Sequence, residues 1–209
     1  MRVIILMLIL GLNIVNAQEN KATKLEYISR NFLDYNFEGI DQVYIFDNNR
    51  KSLSVVGNKI DIGKKREKEE QIVTINLESS ENEYYFQDKE KQFLFFRDIV
   101  IQDVFYVTEK LPIFIWVLID EFKVIENKKL QKATTTFRGR TYTAWCDLDT
   151  PIDQGPWKFN NLPGLAYNIV DETPDFHFEW HLSKLSKVPL KEVPFTIAIP
   201  KLNITKTAS

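Results

Sequence analysis

His177, Glu179 and His181 stand two residues apart, and imidazole and carboxylate are the groups that ligate zinc and move protons in hydrolases. Around them Phe176, Phe178, Trp180 and Leu182 occupy the alternate positions. That period of two predicts a strand with the apolar set on one face and His177, Glu179, His181 and Ser183 on the other. Alternate residues of a strand lie about 7 Å apart. A zinc ion needs ligand atoms within about 2 Å, which three side chains of one straight strand do not supply. The spacing therefore predicts a polar strand face with no bound metal and no cofactor; a metal-dependent or other hydrolase working from this face is the alternative. Asp147, Asp149 and Asp153 have neither the spacing nor the glycine of an EF-hand and read as solvated loop acids. Cys146 is the one cysteine, so no intrachain disulfide forms, and with no nucleophile motif around it the thiol reads as buried.

The segment from 137 to 165 carries a second kind of chemistry. Arg138 and Arg140 flank Gly139 between two β-like runs, where a pair of guanidiniums can grip a carboxylate or phosphate. Downstream, Trp157, Phe159, Leu162 and Leu165 crowd a loop punctuated by Gly155-Pro156 and Pro163-Gly164. A solvated loop has no use for four large apolar groups, so this one either folds back onto a sheet or presents an apolar site. The Pro163-Gly164 step fits the centre of a type II turn, with Gly164 at positive φ, and Trp157 and Leu165 are expected to be at least partly buried. Arg138, Arg140, Trp157, Phe159, Leu162, Pro163, Gly164 and Leu165 are the candidate binding residues.

The elements that must position them are mostly strands. Val43–Phe46 and Leu53–Val56 enclose Asp47-Asn48-Asn49-Arg50, a hairpin signal, and Tyr84–Phe86 with Phe93–Phe96 repeats it. Thr134–Phe137 and Arg140–Trp145 form a third hairpin around Arg138-Gly139. The apolar run Ile113–Ile119 predicts a strand buried on both faces. Phe195–Ile199, flanked by prolines, predicts an edge strand. Lys64–Glu70 reads as a solvated charge run, and Arg30–Phe37 is the one stretch read as a short helix. The chain is expected to be mainly β: a single curved antiparallel sheet, or a sandwich or half-barrel, with at most one or two short helices.

Composition agrees. Of 209 residues, 44% are hydrophobic and 15 are Phe, enough to build a core without disulfides. A net charge of −2 gives no electrostatic footprint for nucleic acid. Arg2, the uncharged run Val3–Leu12 and Val15-Asn16-Ala17 have the three-part form of a secretory signal. Cleavage after Ala17 would leave residues 18–209 as one β-rich domain without a transmembrane segment, placed in the periplasm, the cell envelope or the extracellular space.

The same segment resembles a known family. Gly139-Arg140, Tyr142, Ala144-Trp145, Pro151-Ile152, Gly155-Pro156-Trp157-Lys158-Phe159 and Leu162-Pro163-Gly164-Leu165 match, in order, the pattern of the GLPGLI family of exported Bacteroidota proteins. Leu111-Pro112, Trp116 and the stretch from Ile125 to Ala133 are also similar. Asn161 stands where the family has the first glycine of its namesake motif, and Ala166 where it has isoleucine. The resemblance implies export and a β-rich fold and assigns no catalytic residue. The functional expectation is a non-enzymatic binding or envelope-assembly module whose partner is an envelope protein, a peptide or a lipid.

Overall fold

The structure is a computed structural model that describes residues 21–32, 36–57, 60–61, 82–100, 103–173 and 177–194. The expected secretory signal, the Lys64–Glu70 run and the expected Phe195–Ile199 strand lie outside these residues.

The described chain is nearly all strand. β1 (Lys21–Phe32), β2 (Asn36–Phe46), β3 (Lys51–Val55), β4 (Ile60–Asp61), β5 (Tyr84–Asp88), β6 (Phe93–Val100) and β7 (Asp103–Lys110) make the first half. β8 (Val117–Ile125), β9 (Lys128–Phe137), β10 (Arg140–Asp147), β11 (Leu165–Asp171) and β12 (Phe178–Pro189) make the second, followed by a 3-10 turn at Leu190–Glu192. All pair antiparallel in one open sheet of order β7-β6-β5-β3-β2-β1-β12-β11-β10-β9-β8, with β4 on β2 beside β3.

The hairpin turns form where their residues accept left-handed backbone. Asp47, Asn48 and Asn49 have φ of 53°, 52° and 63°, and Arg138 and Gly139 have 50° and 79°. Two expectations are corrected. The described residues of the Arg30–Phe37 stretch are not helical: Arg30 to Phe32 end β1, and Asn36 and Phe37 begin β2, paired with Phe32 and Asn31. The apolar run is not a strand buried on both faces either. Residues 111–116 are an extended connection, with Phe114 2% exposed but Ile113 and Ile115 at 62% and 75%. β8 begins only at Val117, as the outermost strand.

That connection curves the sheet. It joins β7 to β8, and these are opposite edges. Eleven flat strands would set the edges about 48 Å apart at about 4.8 Å per strand. The chain from Lys110 to Val117 spans at most about 25 Å, so the sheet curls into a half-barrel with the connection across its open side.

Strand alternation splits the core between the two faces. On the concave side Leu25, Tyr27, Val43, Ile45, Tyr142, Ile169 and Trp180 pack with Phe114, Phe159, Leu162 and Leu165. Beside them Tyr85, Leu94, Phe96 and Leu111 continue the same lining. The residues in between, Tyr44, Phe46, Leu53, Val55, Tyr84, Phe86 and Phe95, point to the convex side, where Val188, Leu190 and Val193 cover them.

Candidate functional site

The loop from Gly155 to Leu165 folds back into the concavity as a plug. Its backbone closes on itself, Gly155 N–H donating to the Phe159 carbonyl and Phe159 N–H to the Pro156 carbonyl. Phe159 has no exposed surface and sits among the rings of Phe114, Trp116, Tyr142, Trp157 and Trp180, at centroid distances of 5.1 to 6.0 Å. Buried Asn160 ties the plug to its surroundings: its Nδ2 donates to Gln87 Oε1 (3.1 Å) and the Pro112 carbonyl (2.9 Å), while its own carbonyl accepts from Trp116 Nε1 (3.0 Å).

Lys158 is 5% exposed, with Nζ 3.9 Å from the Phe96 ring centroid and 3.3 Å from Glu109 Oε1. Burial pulls its ammonium below the ordinary lysine range, Glu109 opposing. The lysine is a cation–π latch that fastens the loop to β5 and β6.

Beside the plug a cleft of about 220 Å³ remains. Trp157, Tyr85, Tyr142, Phe178 and Trp180 form its walls, and Asp41, Glu83, Asp171 and Arg140 its polar groups. Strand pairing brings them together: Tyr142 on β10 lies opposite Asp171 on β11, and Phe178 and Trp180 follow on β12. Asp41 on β2 is in phase with inward-facing Val43 and Ile45. Its carboxylate accepts from Trp180 Nε1 (2.9 Å), Ser29 Oγ (3.1 Å) and the Gly57 N–H (3.0 Å). Asp171 accepts from Arg140 Nη1 (3.1 Å) and the Thr173 N–H (3.0 Å). Trp157 is held at φ 54°, with its backbone N–H donating to Ser54 Oγ (2.9 Å). Burial pushes the Tyr85 hydroxyl up out of the ordinary tyrosine range and raises that of Tyr142 as well.

Of the candidate binding residues, Arg140 and Trp157 line this cleft. Arg138 points away and pairs with Glu109 at 3.2 Å, so the two arginines do not form a joint grip. Phe159, Leu162 and Leu165 are core, at 0%, 3% and 2% exposure. Leu162, Pro163 and Gly164 also border a second depression against Asn48, Asn49 and Lys89. Trp157 is half-buried and Leu165 buried, as the sequence predicts.

The expected positive φ at Gly164 is overturned: among the described glycines only Gly139 has one. Gly164 is required for another reason, since a Cβ there would lie 2.2 Å from the Asp147 carbonyl oxygen. Left-handed backbone in this loop falls instead at Trp157 and Asn161, with φ of 54° and 53°.

The other candidates sit elsewhere. Glu179 is bound by Arg30 (3.3 Å) and by His181 Nε2 (3.1 Å), on the face opposite Trp180. His177 precedes β12 and is exposed. Among the described residues no group of three or more His, Cys, Asp or Glu is placed to hold a metal ion. Asp147 and Asp153 are separately engaged, Asp147 by Thr150 Oγ1 (2.9 Å) and Lys128 (3.1 Å), Asp153 by Lys89. Burial opposes ionisation of Asp147, but the Thr150, Lys128 and Asp149 N–H contacts outweigh it and hold the carboxyl below the ordinary range. Cys146 is buried and free.

Asp41, Glu83, Tyr85, Asp171 and Phe178 are cleft residues that local motifs do not reveal. The available signal was phase: Asp41 shares its register with Val43 and Ile45, and Asp171 with Ile169, so each puts a carboxylate on the inward face.

No family model and no curated protein matches this sequence. Among solved structures, PNGF-II crystallised in space groups C2 and P21 is similar at TM-score 0.47 and 13% identity in both cases. The match covers 80% and 81% of this chain and 28% of each PNGF-II chain, and no functional reading rests on it.

Proposed function

We propose that the chain is an exported cell-envelope protein of the GLPGLI type that works as a non-enzymatic binding module. One observation carries the reading: the half-barrel encloses an aromatic cleft with fixed polar groups, beside a plug that is itself anchored in the core. Such a cleft orients a bound group through a few polar contacts and holds it by apolar area. The acid–base pairs near it are already engaged with each other, as Arg140 is with Asp171, which suits holding rather than turnover.

The test is capture from the native envelope. Protein purified without chelator is expected to start at Gln18 and to bring down a ligand or partner that Trp157→Ala fails to retain while keeping its fold. Recovery of Met1–Ala17 in exported material would remove the export reading. A partner retained equally by Trp157→Ala would remove the cleft. One metal per chain, lost on His177→Ala, would replace the module with the hydrolase alternative.

A further inference from the structure

The connection that crosses the open side of the half-barrel alternates like a strand, yet no strand among the described residues pairs with it. Phe114 is 2% exposed and Trp116 reaches in to the Asn160 carbonyl, while Ile113, Ile115 and Val117 stand outward at 62%, 75% and 56% exposure. Among the described residues the backbone of 113–116 makes no backbone hydrogen bond. Extended chain with open N–H and C=O groups and a β-branched apolar row is a template for strand addition. Past Leu118 the pairing of β8 with β9 is broken by a bulge, which ends the regular stretch there.

The charges that bracket the run say which strand fits it. From Leu111 to Ile119 there is no charged side chain; Lys110 precedes the run and Asp120 follows it, both exposed. Two copies laid antiparallel about a two-fold axis at Ile115 set Ile113 opposite the partner's Val117 and Ile115 opposite its own counterpart. The same register sets Lys110 opposite the partner's Asp120, once at each end. Moving the axis to Phe114 or Trp116 would put Lys110 against Leu118 or Phe122 instead. Parallel pairing would put like charges together.

We propose that residues 111–119 are a self-association surface, on which a second copy of this chain pairs antiparallel with Ile115 on the two-fold axis. The outward row of each copy then joins that of the other, and the two Lys110–Asp120 pairs fix the register. No residue of this run lines the cleft, so self-association and ligand capture are separate properties.

Sedimentation equilibrium of the mature protein over a wide concentration range is the test. A reversible monomer–dimer equilibrium is expected, in the weak range of small interfaces. Ile115→Lys sets two ammonium groups against each other on the axis and is expected to weaken association about tenfold or more. The side chain is 75% exposed, so melting of the variant monomer should stay near wild type. Lys110→Glu and Asp120→Lys are each expected to weaken association about threefold or more, and the double variant to restore it. A chain that stays monomeric at every concentration overturns the proposal and leaves the run to a foreign extended strand. A dimer that Ile115→Lys leaves intact places the interface elsewhere and overturns it too. Single charge variants that the double variant does not rescue overturn the register. Should Ile115→Lys fail to fold, the charge exchange still decides.

Discussion

A Cβ on residue 164 has nowhere to go, because the Asp147 carbonyl oxygen would lie 2.2 Å away with backbone on both sides of it. Gly164→Ala is therefore expected to cost about 1–3 kcal/mol, read as a lower denaturation midpoint with an unchanged slope. The constraint is one of space and not of φ. Cys146 makes a second point at this scale. Burial raises its thiol pKa to about 12 from the ordinary 9.0. The neutral thiol is favoured by folding, so its contribution is intact below pH 9.0 and is lost as pH climbs from 9.0 towards about 12. Stability of Cys146→Ala should fall less steeply across that window. At pH 8 a thiol reagent should leave the folded protein unmodified and label it fully in denaturant; rapid labelling of the native state would disprove the burial.

At the scale of elements, the plug is fastened by a lysine whose charged form folding disfavours. With its pKa lowered in the folded state, the unfolded chain binds the extra proton, so this group adds stability as pH rises towards the ordinary lysine value. The stability difference between wild type and Lys158→Met is expected to move in favour of wild type as pH increases through the alkaline range, and a difference independent of pH would show that the ammonium is well solvated. Hairpins were readable in the chain because Asp47-Asn48-Asn49 and Arg138-Gly139 are turn residues whichever fold they serve. The pairing of β1 with β2 was not, because the stretch from Arg30 to Phe37 lacks glycine and proline and its charges fit a helix equally well. Ile113–Ile119 misled because apolar content reports burial only on average. Here Phe114 enters the core while Ile113 and Ile115 stay outside, a split set by the route from one edge to the other. The cleft was illegible for a related reason: its residues come from β2, β5, β10, β11, β12 and the plug, and only the curl of the sheet makes them neighbours. Arg140 and Trp157 were found because they lie in a dense motif; Asp41 and Asp171 are single acids whose meaning depends on strand phase.

At the scale of the molecule, the strand order has one seam. Every neighbouring pair along the sheet joins strands that follow one another in the described chain, β3 and β5 being separated only by β4, except β1 and β12, where Lys21 lies opposite Pro189. The two halves are meanders of local hairpins; the seam joins the far ends of the chain. Closing so long a loop carries an entropic cost that local pairing does not, so the halves should gain structure before they meet. Leu94 is buried inside the β5–β6 hairpin, while Leu182 pairs with Tyr27 across the seam. Leu94→Ala is then expected to slow refolding, and Leu182→Ala to leave the refolding rate near wild type and speed unfolding. The opposite assignment in a chevron experiment would place the seam in the nucleus. The pairing that makes the sheet continuous is thus expected to be the last to form. While it is pending, β1 and β12 each carry an unpaired row of N–H and C=O groups that a second chain could join as readily as the first. A half-barrel that opens at this line would exchange halves with a neighbour, and its tendency to do so should grow with protein concentration during refolding.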